Sequence, residues 1–142
     1  MEFYSYDVYT NLGMTAEAKS FYDRMVADTH TDNFPTAGVH WFRDWFFPLW
    51  RDHGHANVMV NYFKLLGDNF PKKANGVDFA RNLNWGEFVH FMSAAAGKDL
   101  RALAGNAFGG WTSALDAQFQ KVRTDFAAVN TGYVLEATPT PP

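Results

Sequence analysis

The ten residues from Trp41 to Trp50 include six aromatic side chains, and this run limits most strongly how the chain can fold. At helical spacing the rings cover nearly the whole circumference of a helix, whereas a surface helix buries only one apolar stripe. Such a segment must be central and buried all round, or one of its sides must contact a partner domain or a ligand such as a sugar ring. Trp41, Trp45, Trp50 and the preceding His40 are therefore candidates for a ligand site or a domain interface.

Helical periodicity extends over most of the chain and predicts an all-α fold. No segment shows sustained alternation of apolar and polar residues, so we expect little sheet. An apolar fraction of 47% and an aromatic fraction of 18% indicate a globular domain rather than a disordered chain. We predict a compact bundle of about six short helices. The predicted segments are 15–27, 36–50, 55–66, 84–97, 99–108 and 113–126.

Residues that favour helix ends mark the boundaries of these segments. Asn84 and Glu87 have the spacing of a capping box, in which each side chain bonds the backbone N–H of the other residue. Pro48 is expected to kink or end the second segment, because its ring removes a backbone donor. The remaining predicted N-caps are Thr15, Thr36, Asp99 and Ser113, and the predicted stops are Gly67 and Gly97.

The end of the sequence differs in composition from the rest, so two regions are predicted. A helical domain spans residues 1–134, because 142 residues suffice for one hydrophobic core. Residues 135–142 are rich in Thr and Pro, which favours an extended polyproline-II linker. A linker of this kind usually leads to another domain, so we expect the chain to be part of a longer protein.

Charge and cysteine content exclude several classes of function. The net charge is -3 and no cluster of Lys and Arg is present, so neither nucleic acid nor an acidic membrane surface is an expected partner. Arg43, Asp44 and Pro48 interrupt the most hydrophobic stretch, so no membrane span is predicted. The absence of Cys excludes disulfides, Cys-ligated metal sites and thiol nucleophiles.

His53 and His55, separated only by a glycine, are the candidate metal ligands of this chain. Two imidazoles at this spacing can chelate a metal in an extended turn, with an oxygen added by Asp52 or Glu87. The alternative is a pair of solvated histidines near a helix C-terminus, where a protonated imidazole suits the helix dipole. The sequence contains no H-E-x-x-H motif, which would place two zinc ligands one helical turn apart.

Glu87 and His90 lie three residues apart on one predicted helix, which places them on one face as a candidate acid/base pair. The capping position of Glu87 favours a structural role instead. For His90 and His40, a partly buried ring bonded to a backbone carbonyl is the ordinary arrangement. No nucleophile elbow and no Gly-rich phosphate loop accompanies them, so no further catalytic residue is predicted.

Several stretches of the sequence resemble a known family. They are Asn33-Phe34-Pro35-Thr36-Ala37-Gly38 with the aromatic run 41–50, Leu83-Asn84-Trp85-Gly86-Glu87-Phe88-Val89-His90-Phe91, Ala94-Ala95-Ala96-Gly97-Lys98-Asp99-Leu100 and Ala107-Phe108-Gly109. Together they are similar to the helical region beyond the active site in secreted bacterial zinc-metallopeptidase-like proteins of the gluzincin type. The likeness covers residues 15–126, and its motifs are those of packing and capping rather than of catalysis.

This resemblance implies a non-catalytic helical lobe that lines the cleft of a catalytic domain located upstream. It also implies a secreted protein, with zinc in the parent protein rather than in this chain, and a carbohydrate-binding module beyond the linker. Because the H-E-x-x-H motif is missing, no zinc ligand can be assigned to these residues. The chain by itself is therefore not expected to hydrolyse peptides.

Two other functions are compatible with the same residues. The first is a standalone aromatic-rich helical module that binds carbohydrate or peptide through the helix at residues 41–50. The second is a small enzyme that uses Glu87, His90 and the turn containing His53 and His55. A binding module requires an accessible aromatic surface, and the enzyme requires these four side chains to be free for chemistry or for a metal.

Overall fold

Apolar side chains at helical spacing account for most of the architecture. The computed structural model describes residues 2–141, and it confirms the all-α prediction. Extended pairing in that range is limited to two isolated bridges, Asp32 with Val39 and Lys72 with Phe79. The α-helices are α1 (Glu2–Asn11), α2 (Thr15–Met25), α3 (Phe47–Asp52), α4 (Asn57–Asn69), α5 (Trp85–Ala96), α6 (Arg101–Ala107) and α7 (Ser113–Asp125). A π-helical turn (Trp41–Phe46) precedes α3, and a 3₁₀ segment (Ala127–Gly132) follows α7.

Helix α5 lies at the centre of the structure and packs against α4, α7 and the 3₁₀ segment. It is buried on several sides, and Val89, Phe91 and Met92 are among its least exposed residues. Burial of one such side chain contributes about 1.5–3 kcal/mol, so α5 stabilises much of the core. Of the helices described in residues 2–141, none is both long and apolar enough to cross a bilayer.

The aromatic run forms two helical pieces, because the π-helical turn leads directly into α3. The Phe47 N–H bonds the Phe42 carbonyl, five residues back. Pro48 lies in the first turn of α3, has no N–H, and in a continuous α-helix its ring would clash with the carbonyl four residues earlier. The wider π turn before it accommodates the ring. The helix therefore continues past Pro48 to Asp52 rather than ending at the proline.

Both predicted ends of α5 are confirmed. Asn84 Oδ1 accepts the Glu87 N–H at 2.8 Å, and the Glu87 carboxylate accepts the Asn84 N–H at 2.9 Å, which completes the capping box. Gly97 ends the helix with φ +69°, a left-handed conformation that glycine adopts without strain. These signals are local in sequence, so they do not depend on the rest of the fold.

Most of the other predicted helix ends are wrong. Thr112, not Ser113, caps α7 by accepting the Leu115 N–H, and Gly67 lies inside α4. Asp99 lies two residues before α6, where its carboxylate accepts the Arg101 N–H. Thr15 is not an N-cap, because α2 has no side-chain cap. Thr36 is not one either, because the chain is not helical at residues 36–40.

Helix α1 and the 3₁₀ segment are additional to the six predicted helices. Helix α1 has no clear apolar stripe in the sequence, and contacts with distant residues hold it. The Trp50 Nε1–H donates to the buried Asp7 carboxylate at 2.8 Å, across 43 positions of sequence. Tyr4 and Val8 of α1, and Leu12 just after its last residue, are 41%, 50% and 68% exposed.

Arg101, 1% exposed, binds the C-terminal segment to the helical body. Its guanidinium donates to Asp99 and Asp116, and also to the Glu136 carbonyl at 2.7 Å and the Thr138 hydroxyl at 3.1 Å. Burial alone would raise the pKa of Asp99, but bonds from Arg101 and from the Glu136 N–H outweigh it and lower that pKa. Residues 136–138 therefore contact the helices, while the domain boundary at 134 stays a prediction.

We expect Arg101→Met to destabilise the protein strongly. The change leaves the buried Asp99 and the partly buried Asp116 without their partner, a loss of about 3–5 kcal/mol in the free energy of unfolding. Urea unfolding followed by circular dichroism measures the loss. The matched control is Lys121→Met, which removes the exposed pair with Asp125 and should change little. Equal losses in the two variants would contradict this role for Arg101.

Candidate functional site

Aromatic side chains from three parts of the chain line a groove of about 370 Å³, which we call the aromatic groove. Its lining residues are Phe34, Trp41, Leu83, Asn84, Trp85, Phe88 and Gln118. The Trp85 ring stacks with that of Trp41 at a centroid distance of 6.1 Å and with that of Phe34 at 5.7 Å. Because Phe34 remains 65% exposed, the rings present an apolar surface that solvent can reach.

Local hydrogen bonds position the three rings. Trp41 is the first residue of the π-helical turn, and Trp85 is the first residue of α5. Phe34 lies in the loop before the π turn, where the Asp32–Val39 bridge closes the backbone. The Trp41 Nε1–H donates to the Phe34 carbonyl at 2.7 Å, so the loop is fixed to the same ring that lines the groove.

The polar side chains of the aromatic groove present donors. Asn84 Oδ1 accepts the Glu87 N–H at 2.8 Å, and Gln118 Oε1 accepts the Gly86 N–H at 2.7 Å. A backbone N–H bonds an oxygen, so these bonds determine which side of each amide is the NH₂ group. Neither NH₂ group bonds another residue within the described part of the chain. The N-terminus of α5 thus bonds both amide oxygens, and both NH₂ groups lack a partner among the described residues.

No described residue that lines the aromatic groove carries a charge. A second groove, of about 240 Å³, shares Trp85 with the aromatic groove. Its other lining residues include Thr36, Phe108 and Trp111, and none of its lining residues is charged. A charged ligand would lose its hydration in either groove without gaining an ionic partner. The two grooves therefore suit a neutral ligand.

Of the predicted ligand or interface residues, only Trp41 lines the aromatic groove. Trp45 is fully buried, and its Nε1 has no hydrogen-bond partner among residues 2–141. Trp50 is buried beneath α1, where its Nε1–H bonds Asp7. His40 is buried just before the π turn, and its Nδ1 likewise lacks a described partner. The aromatic run is thus buried along one side and accessible at its first tryptophan.

The candidate acid Glu87 is fully engaged in hydrogen bonds. It is buried and accepts a bidentate pair from Arg81, at 2.6 and 2.9 Å, besides the Asn84 N–H of the capping box. The bond to Glu87 raises the Arg81 pKa above its ordinary value. Three donors occupy the two carboxylate oxygens of Glu87, which are not free to contact a substrate. Its geometry therefore supports the structural role.

The candidate base His90 is also engaged in hydrogen bonds, and among the described contacts none joins it to Glu87. Its Nε2 lies 3.2 Å from the Phe126 carbonyl, which can only accept, so Nε2 carries the proton. The Tyr133 hydroxyl then donates to Nδ1 at 2.7 Å. Burial lowers the His90 pKa, against the bond to Phe126, and the nearby Arg123 lowers it further. The ring is therefore neutral and structural in this arrangement.

The predicted metal ligands lie in the turn after α3. His55 adopts φ +57°, and its ring stacks on Trp50 at a centroid distance of 4.2 Å. His53 lies in a cleft of about 430 Å³ that is lined by side chains of both charges. Within residues 2–141 no group of three or more His, Asp or Glu side chains is arranged to hold a metal ion. The metal assignment of the pair remains a prediction without a third ligand.

Six of the seven residues that line the aromatic groove have no functional assignment from the sequence, among them Phe34, Trp85 and Gln118. Trp85 and Phe34 belong to the stretches quoted for the family resemblance, but only as packing motifs. The aromatic residue directly after the Asn84 cap is a signal that could have identified Trp85, because a first-turn side chain is often solvent-accessible. Gln118 carries no signal of its own, since its role depends on the approach of α7 to α5.

No protein-family model matches the chain, and the chain matches no curated protein and no solved structure. The resemblance to metallopeptidase-like proteins therefore rests on the quoted residues alone.

We expect the protein to lose stability as the pH falls below about 6.5, the ordinary value for His. The folded state keeps His90 neutral, so its pKa is lowered and the unfolded state binds the proton more readily. The free energy of unfolding should fall by up to about 1.4 kcal/mol per pH unit from this residue as the pH drops towards its folded pKa. Urea unfolding of the natural chain and of His90→Gln is measured at several pH values, from neutral down to the range in which carboxylates begin to titrate. The difference between the two profiles isolates the contribution of His90. Identical pH profiles for the two proteins would contradict it.

Proposed function

We propose that this chain is a binding module whose aromatic groove takes a neutral, proline-rich peptide segment. The observation that carries the proposal is the combination of stacked aromatic rings with two amide NH₂ groups that have no partner among the described residues. Proline-rich segments form the polyproline-II helix, which is preformed and docks in aromatic-lined grooves. Such a ligand loses little conformational entropy on binding, so a small groove suffices.

Hydrogen-bond complementarity favours this ligand. Proline has no backbone N–H, so a proline-rich backbone offers carbonyl acceptors and few donors. The aromatic groove offers the NH₂ groups of Asn84 and Gln118, while their oxygens are used by the N–H groups of α5. Carbohydrate hydroxyls donate as well as accept, so two NH₂ donors match a sugar less fully than they match a proline-rich backbone. We therefore favour peptide over carbohydrate.

Amide-to-carboxylate substitutions test the proposal without disturbing the fold. Gln118→Glu and Asn84→Asp keep the oxygen that accepts from α5 and replace the NH₂ donor by an acceptor. We expect each to weaken the binding of decaproline, followed by tryptophan fluorescence, roughly five- to tenfold. The matched control is Gln120→Glu, the same change at an exposed position of α7 outside the groove, which should bind like the natural chain.

Other outcomes of the same titration would overturn the proposal. Neutral oligosaccharides are tested in parallel as the competing ligand class. Binding of oligosaccharide but not of decaproline would assign the aromatic groove to carbohydrate. Absence of any response to both ligand classes would remove the binding function. Equal weakening by the control variant would show a general effect of charge on α7.

A second proposal follows from the family resemblance, in which the chain is a helical lobe of a secreted metallopeptidase-like protein. The observation that favours it is a small exposed apolar patch formed by Tyr4 and Val8 of α1 and by Leu12, the residue that follows this helix. The occupant of this patch would be the upstream catalytic domain that the resemblance implies. Zinc would be bound by that domain, since no described group of this chain is arranged for it. A carbohydrate-binding module would follow the Thr/Pro segment.

The intact mass of the native protein in its source tests this second proposal. We expect a species much larger than 16.1 kDa in the culture supernatant, because the lobe requires its catalytic domain and a secretion route. Immunodetection with mass spectrometry of cells and supernatant provides the measurement. A species near 16.1 kDa that stays in the cells would contradict this second proposal and would not affect the proposed binding module.

A further inference from the structure

We infer that the ligand of the aromatic groove is the C-terminal proline-rich segment of a second copy of this chain, residues 139–142. The inference rests on the proposed function and names its partner. It follows from the composition of that segment, from the way residues 136–138 are held, and from the position of the groove on α7.

The segment has the chemistry that the aromatic groove requires. Its sequence, Pro139-Thr140-Pro141-Pro142, has prolines at both ends of a P-x-x-P pattern and no charged side chain. Three of its four residues lack a backbone N–H, so it offers mainly carbonyl acceptors. A neutral groove with two free amide donors and stacked aromatic rings is complementary to such a segment.

The fold presents the segment on the surface. The Arg101 guanidinium holds the Glu136 carbonyl and the Thr138 hydroxyl, and the Asp99 carboxylate accepts the Glu136 N–H at 3.0 Å. Beyond Thr138, no hydrogen bond to the helical body is described, and residues 140 and 141 are exposed. The anchor thus fixes where the segment leaves the helical body, and the exposed residues 140 and 141 are available to another molecule.

The anchor and the groove lie on different sides of α7, which favours a second copy over the same chain. Asp116 bonds Arg101 at the anchor, and Gln118 lines the aromatic groove. Two residues of an α-helix are separated by about 200° around its axis. Four residues of polyproline-II helix reach only about 12 Å, and no described residue of the segment lines either groove. Docking between copies would be head-to-tail, since groove and segment are different surfaces.

Concentration-dependent self-association of the full chain tests the inference. In sedimentation velocity from micromolar to millimolar protein, the mean mass of the natural chain should rise. The variant Pro139→Ala/Pro141→Ala/Pro142→Ala keeps the Arg101 anchor and should associate at least tenfold more weakly. Gln118→Glu should weaken association as well, and the control Gln120→Glu should behave like the natural chain. Circular dichroism establishes that every variant is folded.

Two outcomes would overturn the inference. A natural chain that stays monomeric over the whole range binds no second copy, and association that survives the triple proline substitution uses another surface. Decaproline binding measured on the same samples separates this failure from that of the proposed function. If a strictly monomeric chain binds decaproline, only the inference about a second copy is contradicted. If the natural chain does not bind decaproline, both the inference and the proposed function are contradicted.

Discussion

The close approach of α5 and α7 at Gly86 is the contact on which the rest of the structure depends. A Cβ at this position would lie 2.9 Å from Gln118 Cγ and 3.0 Å from the Phe119 backbone nitrogen, so only glycine allows the two helices to come this close. The approach places Gln118 Oε1 on the Gly86 N–H and packs Phe119, fully buried, into the core. Core packing and the donor pattern of the aromatic groove thus share one cause.

The high aromatic content is explained by two different environments. Phe42 and Trp45 are buried in the core, where edge and tilted ring contacts fill space that smaller side chains would leave open. Trp41 and Trp85 are only partly buried, and with Phe34 they form the accessible stack. One helical run contributes to both environments, because its first tryptophan lies where the core meets the surface.

Features encoded locally could be predicted from the sequence, and features that depend on distant contacts could not. The capping box of Asn84 and the stop at Gly97 are local, and they identified α5 correctly. Helix α1 depends on the bond between Asp7 and Trp50, so no local signal could reveal it. For the candidate site, the aromatic run identified Trp41, whereas the part played by Gln118 exists only after α7 reaches Gly86.

The number of residues in the π-helical turn determines how α3, which follows it, is oriented. An α-helix advances by about 100° for each residue, so removing one residue from this turn would rotate everything after it by that angle. Trp50 would then leave the position from which it reaches α1. Loop lengths elsewhere can change at an entropic cost of only about 0.6 kcal/mol for each doubling. Variants of this sequence should therefore tolerate insertions in the loop before α5 far better than any change of length between Trp41 and Phe46.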